Sequence, residues 1–147
     1  MRKALLVLLV APFLHGDIGH LLSNTVPMIV LGGMVSLRGR NTFWGVTVLV
    51  AIVGGLGVWL VGRGNIHIGA SGLVFGYFGY LVALGWFERK LSSIAIAILT
   101  LVLYSGLVFG VLPLRSWVSW EGHLFGMAAG ALIAYLAAGR ARKKNPT

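Results

Sequence analysis

The run GASGLVFGYFGYLVAL, residues 69–84, decides how the rest of the chain is read. Its opening, Gly69-Ala70-Ser71-Gly72, places one hydroxyl among small residues at the mouth of an apolar helix, where another helix and a peptide backbone can both come close. A serine so placed is a candidate nucleophile. Gly72, Gly76 and Gly79 follow at three- and four-residue spacing and make a smooth stripe for close helix contact. What packs on that stripe, and what faces that hydroxyl, are the questions put to the remaining sequence.

The composition answers the first in outline. Of 147 residues, 58% are hydrophobic and 10% charged, with a mean hydropathy of +0.92, whereas a soluble domain carries about a quarter charged residues. Runs long enough to cross about 30 Å of hydrocarbon, roughly 20 residues each, recur along the chain. The expected fold is all-α: a polytopic transmembrane helical bundle forming one domain over residues 1–147. The net charge of +9 sits in short loops and a tail, which fits topology signals and headgroup contacts and speaks against nucleic acid as a partner. The absence of cysteine excludes disulfides, thiol catalysis and thiolate metal sites.

Five full spans are expected. Ahead of them, Met1-Arg2-Lys3 and the apolar segment Ala4 to Phe13 resemble the start of a signal peptide, but no small-x-small cleavage site follows before His15. About ten apolar residues are also short for a crossing, so residues 1–16 read as an interfacial lead-in. The first span covers Asp17 to Leu37 with Pro27 inside, where a kink is expected. The second covers Phe43 to Val61, with Trp44 and Trp59 near its ends. The third runs from Ala70 to Phe87, and the fourth from Leu91 to Leu112. Ser119 is a candidate N-cap for the fifth, Trp120 to Ala138, whose Gly126 and Gly130 are a second small-residue pair able to face the first. Residues 139–147 form a basic tail.

With the tail in the cytoplasm, alternate crossings put eight basic residues inside (Arg38, Arg40, Arg89, Lys90, Arg140, Arg142, Lys143, Lys144) and four outside (Arg2, Lys3, Arg63, Arg115), as the positive-inside rule prefers. Spans one, three and five then all begin at the outer face. His20 and Asn24, Ser71, and His123 fall within about two turns of those starts and share one depth.

Polar groups at such depth are functional candidates by default, each with an ordinary alternative. Serine is common at helix starts, and a buried histidine is often held by a backbone carbonyl. Together, Ser71 and His123 supply the nucleophile and base that serine hydrolysis needs. Phe75, four residues after Ser71, lies on the same helix face and can pack on the imidazole, or be plain core. His20 and Asn24, spaced i and i+4, can donate to an oxyanion or simply bridge helices, and the Ser71 N–H at a helix start is a third donor. Glu121 lies two residues from His123 on another face, so no carboxylate completes a triad and a dyad is expected. His15 precedes the first span, where it can shape the site or sit at the interface. His67 is assigned no role.

These pieces, His15, Gly19-His20-Leu21-Leu22-Ser23-Asn24, Gly69-Ala70-Ser71-Gly72 and Gly122-His123-Leu124-Phe125-Gly126 with Gly130, resemble the rhomboid intramembrane serine proteases in order and over residues 11–138. The resemblance implies that Ser71 is the nucleophile, His123 the base, His20 and Asn24 the oxyanion donors, and Phe75 the aromatic packed on the base. Gly69, Gly72 and His15 support them. It implies no cofactor and no metal, transmembrane proteins as substrates, and a multi-pass place in a prokaryotic cell membrane with the C-terminus in the cytoplasm; the sequence does not fix an oligomeric state. The family's first helix is expected to be missing, with only the lead-in from Ala4 in its place. One rival is an inactive relative that binds membrane clients. Another is a metal or haem protein ligated by His15, His20 and His123, which leaves Ser71 and Asn24 without a purpose.

Overall fold

The structure, a computed structural model, describes residues 14, 16–62, 69–114 and 118–144. The lead-in through Phe13, His15 and His67 lie outside the described residues. Within them every regular element is helical: α1 (Ile18–Ser36), α2 (Arg40–Val61), α3 (Ser71–Glu88), α4 (Leu91–Tyr104) continued by a 3-10 segment (Ser105–Val111), and α5 (Trp120–Lys144). Two departures from expectation concern the ends of elements. The fourth apolar run tightens into a 3-10 segment instead of staying α-helical to Leu112, and α5 carries the basic residues past Ala138 to Lys144 as helix.

Among the described residues, four helices are long and apolar enough to cross a membrane, against five expected: α1, α2, α4 with its 3-10 extension, and α5. The helix outside this set is α3, and it is the one most enclosed by the others. Every residue from Leu73 to Leu81 is buried, along with Leu84 and Gly85. A helix wrapped by protein can carry glycines and tyrosines where a lipid-facing one carries leucine. Trp86, near the end of α3, is the one large apolar side chain of that helix that is exposed, at 73%; the other exposed ones lie elsewhere, mostly on the outer helices, such as Val26 and Ile29 of α1, Leu60 of α2 and Val102 of α4.

The α3–α5 crossing is the closest in the bundle. A Cβ on Gly126 would run into the carbonyl of Gly72, one on Gly130 into the carbonyl of Gly76, and one on Gly79 into the carbonyl of Met127. The two glycine stripes therefore meet backbone to backbone, so dispersion contacts between main chains hold the pair. On another side of α3, the buried Tyr77 shares a 2.7 Å hydroxyl bond with Thr47 of α2. Pro27 is accommodated within α1, which continues on both sides of it.

At the end of α3 remote from Ser71, charges are gathered. Arg38, in the turn after α1, donates to both carboxylate oxygens of Glu88 at 2.6 and 2.8 Å and to Ser93 Oγ at 3.3 Å. Ser93 also donates to Glu88. Both contacts to the carboxylate come from Nη2 while Nη1 reaches Ser93, and this charge-assisted cluster ties α3, α4 and the α1–α2 turn at one point.

Candidate active site

Three helix starts build the site. Asp17 caps α1, its carboxylate accepting from the His20 N–H at 2.8 Å, which satisfies an orphan amide of the first turn and fixes where His20 stands. One turn on, Asn24 is 7% exposed and donates through Nδ2 to the His20 carbonyl at 3.0 Å. Ser71 is the first residue of α3, so its N–H has no intrahelical acceptor. Ser119 does cap α5: its Oγ accepts from the Gly122 N–H at 3.2 Å, directly before His123.

The residue leading into α3 explains the approach of α1. Gly69 has φ +108°, a region that L side chains rarely adopt. A Cβ there would stand 2.7 Å from His20 Cε1 and 2.8 Å from Nε2, with Asn24 Nδ2 at 3.6 Å. The bare glycine lets the imidazole and the amide lie against the backbone just ahead of Ser71.

His123 is held from two sides. Its ring stacks on Phe75 with centroids 3.9 Å apart and planes 5° from parallel. Its Nδ1 lies 2.9 Å from the carbonyl oxygen of Gly110, in the 3-10 segment. A carbonyl can only accept, so for a neutral imidazole Nδ1 carries the proton and Nε2 keeps its lone pair free.

His20, Asn24, Ser71, Phe75 and His123 line one cavity of about 860 Å³, with Asp17, Ser23, Ser119 and the 3-10 residues Gly106, Phe109 and Gly110 among its other walls. Of the residues singled out from sequence, Gly72 turns its carbonyl to α5 instead. Glu121 is 2% exposed and lies outside the cavity lining. Sequence reasoning missed three contributors: the Asp17 cap, the 3-10 wall, and the Gly110 carbonyl. Asp before an apolar run is a cap signal, and Gly106 and Gly110 interrupting the fourth run mark a place where an α-helix can change.

Comparison with known proteins gives the chain's relatives. The Rhomboid domain family model matches residues 2–140. An uncharacterized protein of Mycobacterium tuberculosis is 42% identical over 142 residues, covering 90% of this chain and 59% of its own length. One from Mycobacterium leprae is 40% identical over 142 residues, covering 90% and 56%. The RHOMBOID-like protein 4 of Arabidopsis thaliana is 30% identical over 137 residues, covering 88% and 33%. The chain thus spans 59% of the length of the Mycobacterium tuberculosis relative. No solved structure matches it. With four membrane-capable helices among the described residues, it is a multi-pass integral membrane protein.

Proposed function

We propose, from the premise that this chain belongs to the rhomboid family, that it is an intramembrane serine endopeptidase working through a Ser71–His123 dyad. The observation that carries the reading is the convergence of Ser71, His123, His20 and Asn24 from three helices on one cavity. His123 Nε2 takes the proton of Ser71 Oγ as the oxygen attacks a peptide carbonyl. Phe75 and the Gly110 carbonyl keep the ring from turning. The tetrahedral oxyanion receives hydrogen bonds from the Ser71 N–H, Asn24 and His20. The imidazolium then protonates the leaving amine, and water entering the cavity repeats the sequence on the acyl-enzyme.

In this reading α3 is the fifth crossing, carried inside the other helices, and the positive-inside count puts the cavity at the outer face and the end of α5 in the cytoplasm. Substrates are transmembrane proteins. Because a membrane helix keeps its carbonyls in intrachain bonds, segments that unwind readily near their outer end are preferred.

The test is labelling by a fluorophosphonate probe in native-like membranes, which requires no substrate. Labelling lost in both Ser71→Ala and His123→Ala establishes the dyad. Well-folded protein that stays unlabelled, yet captures membrane clients equally well as Ser71→Ala, establishes a client-binding relative without protease activity.

A further inference from the structure

A second hollow, of about 400 Å³, lies where the end of α5 meets the end of α3, lined by Phe87, Tyr135, Leu136, Arg140, Arg142 and Lys143 with two small residues of α5. Three of these are cations and none of the lining residues is acidic. The carboxylate next to Phe87 in sequence, Glu88, is already held by Arg38 and Ser93. Arg142 is oriented by donating through Nη2 to the Phe87 carbonyl at 2.6 Å, which leaves further donors on the same guanidinium. The spacing within α5 stacks two chemistries along the helix. Leu136, Arg140 and Lys143 follow one face at i, i+4 and i+7, with Tyr135 and Arg142 beside them. Tyr135 and Leu136 are 57% and 49% exposed, and the Tyr135 ring meets Phe87 edge-on with centroids 5.3 Å apart. The result is an apolar wall continuous with a cationic end, at the terminus of a membrane-capable helix.

Such a surface matches a phosphate that carries acyl chains. We propose that this hollow binds the headgroup phosphate of an anionic phospholipid, with Arg140, Arg142 and Lys143 on the phosphate and Tyr135 and Leu136 against the upper part of a chain. A free phosphate would use the cations and leave the apolar wall idle. The site is independent of the protease reading, and Ser71→Ala binds the lipid as the unaltered chain does.

The experiment is native mass spectrometry of the full chain released from phosphatidylcholine nanodiscs doped with phosphatidylglycerol. The expected result is one retained phosphatidylglycerol, with affinity weakened roughly 30-fold in Arg140→Gln/Lys143→Gln and roughly 5-fold in Arg140→Gln alone. Arg89→Gln/Lys90→Gln removes two cations of the nearby loop that are not in the hollow, and is expected to retain the lipid fully. Melting temperatures in pure phosphatidylcholine, unchanged among the variants, separate lost binding from lost fold. Equal losses in the two double variants would show diffuse attraction to an anionic surface and overturn the site, as would full retention by Arg140→Gln/Lys143→Gln. Inorganic phosphate that displaces the lipid at comparable concentration would overturn the lipid assignment.

Discussion

A single donor illustrates how function is concentrated at the residue scale. The Asn24 amide is nearly buried and rests on the His20 carbonyl, so it lies at the cavity without being free to swing into solvent. If it stabilises the oxyanion, Asn24→Ala lowers kcat by about 10²-fold, while melting temperature changes little, since one net hydrogen bond contributes roughly 1 kcal/mol. Turnover of a generic transmembrane substrate, measured beside a thermal melt, checks both halves. The residues meeting at this cavity were legible in sequence because each polar group stood out in an apolar run, and helical spacing fixed its depth. What holds His123 was legible only in part. Phe75 lies four residues from Ser71, a side chain at a readable interval, whereas the Gly110 carbonyl is main chain, and every residue has one.

Two elements carry that main-chain effect, and each offers a prediction. In the 3-10 segment a Cβ on Gly110 would stand 2.6 Å from Phe75 Cζ and 3.3 Å from His123 Nδ1. Gly110→Ala is therefore expected to tilt the ring stack and reduce fluorophosphonate labelling by roughly 10²-fold, as misplacements of about 1 Å do, with the helices intact by circular dichroism. At the α3–α5 crossing the consequence is structural. Gly130→Leu has to push apart two backbones in contact, costing at least the 1–3 kcal/mol typical of overpacking, and the variant should melt well below the parent protein in detergent. The glycine stripes were visible as intervals in the sequence, and their partnership followed from small residues seeking small residues. The 3-10 turn was signalled only by Gly106 and Gly110 as a place where the helix can change, since an apolar run otherwise reads alike whether its hydrogen bonds span three residues or four.

Across the whole molecule, the bundle has one polar end that gathers ionic contacts and one that holds an open cavity. Arg38, Glu88 and Ser93 are 50 and 5 residues apart in sequence, and single residues at turns read naturally as topology charges; only the folded chain shows them as one cluster. The pair is partly exposed, at 23% and 10%, so Glu88→Gln is expected to cost about 2 kcal/mol, less than the 3–5 kcal/mol of a fully buried pair. A thermal melt checks the size. Labelling at Ser71, at the other end of α3, should persist below the new melting temperature.

The enclosure of α3 also leads to an expectation about biogenesis. Among the described residues four helices are long and apolar enough, by length and composition, to cross a membrane, and the one that begins with Ser71 is not among them. Its glycines and tyrosines become acceptable once the neighbouring helices have formed a protein-lined slot for it. In a glycosylation-mapping assay, Ser71–Glu88 alone should insert less efficiently than Leu91–Val111 alone, and should recover when the flanking helices are supplied. On the proposed reading, Ser71 is then expected to enter with the helix admitted last, and a chain not yet assembled is expected to offer no working dyad to the proteins around it.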